Sequence, residues 1–316
     1  MAIVALGVVG AFARGRSEHA DDELHPMTED VFPDVNALGL GTGENLAVVA
    51  SNSIIGDVVA NIGGEDIELE ILVGADLDPH SYEPTPMDFV AIEKAHVVFI
   101  NGFGLEESLL EPINNVARGV VVPVSHGIDP IIYGKESVDP HVWFDPTEVI
   151  IWVSNITQVF SAADPENRES YHANATKYLE RLEVLDQTIR GEVASIPVMK
   201  RKLVSDHRFF AYFAREYGFE LLGQITPSES TTTEPSAKQI ALLVEMLRRE
   251  NISTLFVGET AGRGINRIVQ SIADELGQEI RVVELLTGSL TKPGTPGDTY
   301  LGYMEHNIEN IVSNLR

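Results

Sequence analysis

Three of the chain's nine histidines stand in surroundings suited to holding a metal ion. His80 lies in Asp78-Pro79-His80-Ser81-Tyr82-Glu83-Pro84-Thr85-Pro86, His141 in Asp139-Pro140-His141-Val142-Trp143-Phe144-Asp145-Pro146, and His207 in Ser205-Asp206-His207. A neutral imidazole is the commonest protein ligand for a transition metal. The proline before His80 and before His141 stiffens the chain, so less freedom is lost when the ring is fixed on an ion. The spacings, 61 residues (141 − 80) and 66 (207 − 141), fit no short metal motif. Each histidine alone is weak evidence, because a lone histidine is more often a surface or capped structural residue. The residues by themselves therefore support a candidate histidine-rich site between two α/β lobes and no more.

Other candidates carry blander readings. Glu259 reads either as a partner orienting a ligand histidine or as a loop carboxylate, and Asp145 and Asp206 as helix caps beside ligands. His96, His172 and His306 read as structural or solvated, and Tyr300, Tyr303 and Met304 as core. Gly262-Arg263-Gly264-Ile265 lacks the rest of any nucleotide-binding fingerprint.

The elements that must position these residues follow an α/β rhythm. Short apolar runs at 46–50, 67–73, 97–100 and 120–124 read as buried strands, with helices ending near 63 and spanning 86–95 and 105–115. Asp164-Pro165 reads as a helix start, and Tyr171, Ala175, Tyr178, Leu182, Leu185, Ile189, Val193 and Ile196 recur every three or four residues until Pro197 stops them. That pattern predicts a rod of about 45 Å, long enough to span two lobes. A second rhythm places strands at 202–205, 220–225, 254–257 and 280–283, and helices at 209–217, 235–250, 265–276 and 298–314, with a Ser/Thr-rich loop at 226–233 and a Gly/Pro-rich one at 287–297. Strands alternating with helices imply mostly parallel sheets with helices on both faces. The expected architecture is two doubly wound α/β lobes, residues 45–162 and 198–316, joined by a long helix within 163–197. His80 and His207 then fall at the carboxyl ends of strands, where open α/β sheets bind ligands.

Composition excludes several functions. The 316 residues hold 22 basic and 48 acidic side chains, a formal net charge of −26, which repels nucleic acid and anionic membrane and enriches cations. With no cysteine, disulfides, thiolate zinc sites, iron–sulfur clusters and cysteine nucleophiles are excluded, and the same absence argues against a lipid-anchor cysteine. Residues 2–13 are apolar or glycine and end in Ala11-Phe12-Ala13. At roughly 18 Å as a helix this run is too short to cross a bilayer, and it reads as the remnant of an export signal. Residues 14–44, with His19 and His25, read as a flexible acidic tether. The protein is expected to be exported, to the periplasm or the extracytoplasmic face of the membrane, without a lipid anchor.

The segments 78–86, 139–146, 205–218, 226–240 and 297–310 resemble, in order, the hallmarks of the zinc/manganese class of ABC-transporter solute-binding proteins, and the likeness runs from about residue 45 to the end. The Asp-Pro-His-x-Trp-x-Asp-Pro pattern is its most specific element. The resemblance implies two α/β lobes on one long rigid helix, with one ion per chain in the cleft between them. Its ligands would fall on His80 and His141 from the first lobe and on His207 and Asp298 from the second. Histidine at the third position favours zinc over manganese, as imidazole donors do. The short segment 125–138 departs from zinc members that carry a long His/Asp-rich loop there. The implied partners are an ABC importer permease with its ATPase, and the implied protein is monomeric and not an enzyme. A zinc hydrolase is the competing reading, opposed by a shell closed by four protein ligands. A metal-containing surface adhesion protein of the same fold is another.

Overall fold

The computed structural model describes Val35 and residues 45–316, apart from 135–136, 227 and 260–261. The apolar leader and the tether with His19 and His25 lie outside the described residues. Two four-stranded parallel sheets carry the fold.

In the first sheet, β1 (Leu46–Asn52) lies between β2 (Ile67–Val73) and β3 (Val97–Ile100), with β4 (Val120–Pro123) outside β3. β1 and β3 are buried almost throughout, because a central parallel strand is covered on both faces. Helices α1 (Ser53–Gly63), α2 (Pro86–Lys94) and α3 (Leu110–Val116) make the crossovers. Asn52 starts α1 by accepting from the Ile55 amide, and Thr85 with Asp88 forms a capping box on α2. The helix expected over 105–115 begins only at Leu110, the residues before it forming turns.

Two elements are absent from the sequence reading. A small hairpin pairs β5 (Ile132–Tyr133) with β6 (Ser137–Val138), and the 18-residue helix α4 (Pro146–Ala163) follows a 3-10 turn at Val142–Phe144. Asp145 caps α4, accepting from the Thr147 amide, and Pro146 takes its first position. Asp164 closes α4 and is also the N-cap of a 3-10 turn, Pro165–Asn167, that runs directly into the long helix, and its carboxylate accepts from Tyr171 and Asn167.

The long helix α5 spans Arg168–Ala194, 27 residues or about 40 Å. Its buried stripe is Tyr171, Ala175, Tyr178, Leu182, Leu185, Ile189 and Val193, the periodic positions in the sequence. It packs along α1 and α4 of the first lobe and along α9 (Tyr300–Leu315), which also covers the second sheet.

The second sheet has β9 (Thr254–Gly258) and β7 (Lys202–Ser205) in its centre, flanked by β10 (Arg281–Leu285) and β8 (Glu220–Gln224). Helices α6 (Ala211–Tyr217), α7 (Ala237–Glu250) and α8 (Gly262–Leu276) connect these strands. The chain is thus two parallel-sheet α/β lobes joined by one long helix. Buried bonds tie the lobes together: Trp143 Nε1 donates to the Thr287 carbonyl at 3.1 Å, Tyr300 donates to the Trp143 carbonyl at 2.7 Å, and the Leu290 amide donates to Ser53 Oγ at 2.9 Å.

Candidate metal centre

His80, His141 and His207 meet between the two sheets, although 61 and 66 residues separate them in sequence. All three are buried, and one nitrogen from each lies within 4.8 Å of the others. Their ring centroids form a near-equilateral triangle with sides of 5.2, 5.3 and 5.8 Å. The Nε2 atoms of His80 and His141 are 3.2 Å apart. Two donors bonded to one tetrahedral zinc at about 2.05 Å would stand about 3.3 Å apart, so this spacing suits a shared ion. Among the described residues, His207 Nε2 and His80 Nδ1 are buried with no hydrogen-bond partner. Such an orphan is costly unless something occupies its lone pair.

Two of the three rings are fixed from behind. His141 comes from the loop before α4, where Asp139 Oδ1 accepts from both its backbone amide, at 2.9 Å, and its ring Nδ1, at 2.8 Å. Asn101, just past β3, donates to the Pro140 carbonyl at 2.9 Å, and Tyr212 donates to that of Asp139 at 3.0 Å. His207 stands at the end of β7, and its Nδ1 meets Asp206 Oδ2 at 2.9 Å while Asp206 Oδ1 accepts from the Gly258 amide at 3.1 Å. A carboxylate on Nδ1 selects the tautomer that turns Nε2 toward a metal. His80 is held through its backbone, its amide donating to Asp78 Oδ1 at 3.0 Å. Asp78 Oδ2 also accepts from Thr231 of the other lobe at 2.6 Å. The Pro79 ring lies so close to Gly288 that a Cβ there would come within 2.7 Å of its Cδ.

The surroundings set the charge state. Burial, and then the neighbouring imidazoles, hold His80 and His141 well below the ordinary histidine range, so both are neutral near pH 7. Burial pulls His207 down as well, but the Asp206 carboxylate overrides it and the net shift is upward. Burial raises Asp139 to about 7, against its hydrogen bond from the His141 amide. A divalent ion beyond the His141 ring would favour the Asp139 anion again.

Asp298 is not in this group. It precedes Thr299, the cap of α9, and its Oδ2 accepts from the Gly294 amide at 2.7 Å. The helix expected from residue 298 starts at Tyr300, so the carboxylate folds back on its own loop. The case against a hydrolase from four protein ligands loses one of its four. Asp145 is a helix cap, whereas Asp206 holds the His207 ring. Asp139 was missed by sequence reasoning, although its signal, an acid two residues before the histidine, stands in the sequence. Among the remaining histidines, His96 accepts from the Ala47 amide, His172 meets Ser161 and His306 meets Asn310.

Fold and centre together define a two-lobed protein with three histidines in its cleft that could hold a metal ion. The chain belongs to the zinc-uptake complex component A, periplasmic, family, whose pattern matches residues 48–314. It is 33% identical over 276 residues to the manganese-binding lipoprotein MntA of Halalkalibacterium halodurans, covering 86% of this chain and 89% of that one. It is also 33% identical over 290 residues to the manganese ABC transporter substrate-binding lipoprotein PsaA of Streptococcus mitis, covering 87% and 90%. Among solved structures, the periplasmic zinc binding protein TroA of Treponema pallidum superposes with a TM-score of 0.81 at 28% identity, over 86% of this chain and 99% of that one. The Mn-bound periplasmic metal binding protein of Candidatus Liberibacter asiaticus gives 0.75 at 28%, over 85% and 99%. Like these relatives the chain is a metal-binding transporter component, not an enzyme, which disposes of the hydrolase reading. One expectation is corrected. MntA and PsaA are named lipoproteins, so cysteine-free composition does not carry the inference of a protein working without a lipid anchor.

Proposed function

We propose that this protein captures one divalent transition-metal ion, zinc in preference to manganese, outside the cytoplasm and hands it to the permease of an ABC importer, acting as a monomer. His80, His141 and His207 would hold the ion, with lobes 45–162 and 198–316 on either side of the linking segment 163–197. The observation that carries this reading is the convergence of three buried imidazoles, two of them backed by a carboxylate on the far nitrogen. Zinc is favoured on donor chemistry, since three nitrogens suit Zn²⁺ while Mn²⁺ prefers oxygen. The manganese names of MntA and PsaA weigh the other way. Competitive titration with zinc and manganese decides between them, and elemental analysis of protein taken from its native compartment identifies the resident ion. Replacing His141 with alanine removes a nitrogen donor and is expected to abolish most of the affinity. Equal affinity and stoichiometry in wild type and His141→Ala would reject the site.

A further inference from the structure

The Ser/Thr-rich loop that follows β8 is bonded to all three histidine-bearing segments. At its base the Thr226 amide donates to the Asp206 carbonyl at 2.7 Å and the Arg208 amide to that of Ser228 at 2.8 Å, so the loop is anchored on both sides of His207. Further along, Thr231 Oγ1 donates to Asp78 Oδ2 at 2.6 Å, and the other oxygen of that carboxylate accepts from the His80 amide. Glu229 accepts from Arg208 on one oxygen and from Ser137 on the other, each at 2.7 Å. Ser137 lies in β6, two residues before Asp139, the acid that holds the His141 ring. We infer that residues 228–232 form a strap whose release lets the captured ion out, an inference that rests on the histidine centre proposed above.

An ion shared by three side chains cannot leave until at least one of them draws back. Two bonds run from the strap to the first lobe, Thr231 on Asp78 and Glu229 on Ser137, and breaking them loosens the His207 segment from the other two. Further interlobe bonds, made by Trp143, Tyr300 and Leu290, do not involve the strap, so they hold while it opens. The strap is also built to open at low cost. It contains no helix or strand, and its Ser230 and Thr232 amides donate to hydroxyls of the loop itself, Ser228 Oγ at 3.1 Å and Ser230 Oγ at 3.3 Å. A segment held by local side-chain bonds opens more readily than the sheet it leaves. Exit of the ion then needs a local motion and no rotation of the lobes, which suits lobes joined by a 27-residue helix.

The test follows release of Zn²⁺ from the whole protein into excess chelator, with Co²⁺ as a spectroscopic stand-in that reports the bound geometry. Thr231→Val and Ser137→Ala each remove a hydroxyl that donates to a carboxylate, a stronger bond than one between neutral groups. Each is expected to release Zn²⁺ roughly tenfold faster while the visible Co²⁺ spectrum stays that of wild type. Asn155→Ala, which loses two bonds inside the first lobe, is the stability control expected to release at the wild-type rate. Binding lost in His141→Ala, with release within about twofold of wild type in both strap variants, overturns this inference and leaves the histidine centre standing. The strap is overturned as well if Asn155→Ala speeds release equally, or if the strap variants alter the Co²⁺ spectrum, since their bonds would then shape the bound ion's surroundings instead of its exit. Full binding in His141→Ala overturns the centre itself.

Discussion

A histidine that ligates a metal must shed the proton on the ligating nitrogen, and the three rings start from different states. His80 and His141 are already neutral near pH 7, whereas His207 is shifted upward by Asp206. Of the three rings, His207 is therefore the one on which protons compete most with the metal. Affinity is full above the pKa of that ring and declines as pH falls through it, by about tenfold per pH unit for one proton; the other two rings compete only at lower pH. Calorimetric titration in buffers of different ionisation enthalpy measures the proton released, and affinity that stayed flat from about pH 7.5 to 5.5 would contradict a histidine centre. The carboxylates behind the rings make a second prediction. Asp139→Asn and Asp206→Asn keep the shape but remove the anion that fixes the tautomer, and each is expected to lower zinc affinity roughly 10- to 100-fold. Asp145→Asn, in a helix cap away from the rings, is the control expected to leave affinity unchanged.

At the scale of elements, the centre depends on turns being held in close register. The turn bearing His80 lies against the loop after β10 through Pro79 and Gly288. A methyl at residue 288 would meet the proline ring, which has no flexible end to move aside, so the turn itself must shift. Gly288→Ala is expected to destabilise the metal-free protein by about 1–3 kcal/mol and also to weaken zinc binding. Denaturant unfolding paired with zinc titration checks both, and an intact affinity would show that the His80 turn tolerates the displacement.

For the whole molecule, an ion held by His80 and His141 from one lobe and His207 from the other cross-links the two sheets. A ligand that binds only the folded state stabilises it by mass action, about 4 kcal/mol at a thousandfold excess over its dissociation constant. The lobes are also joined directly by protein–protein bonds, through Trp143 and Thr287, Tyr300 and Trp143, and Thr231 and Asp78. A large rise in melting temperature with zinc is therefore expected alongside a nearly constant radius of gyration in small-angle scattering. A wide change in radius would mean that these interlobe bonds break in solution.

The sequence by itself determined the two α/β lobes and the long helix, because both are written as local periodicity: apolar runs where parallel strands are buried on both faces, and one stripe along α5. It also marked the three histidines, through the Asp-Pro-His pairs and the strand end before His207. Local pattern failed at α4, whose buried residues spread over much of its circumference and leave no narrow stripe, and whose Asp145-Pro146 start lies inside the metal motif. It failed again at Asp298, where a carboxylate beside a helix start has nothing local to say which way it turns. Only the tertiary structure decided that Asp298 bonds to Gly294, that Asp139 and Asp206 stand behind their rings, and that three imidazoles more than 60 residues apart share one centre. The physical reason is range: periodicity and capping act over a few residues, whereas a coordination shell is assembled by strand order and lobe packing across the whole chain.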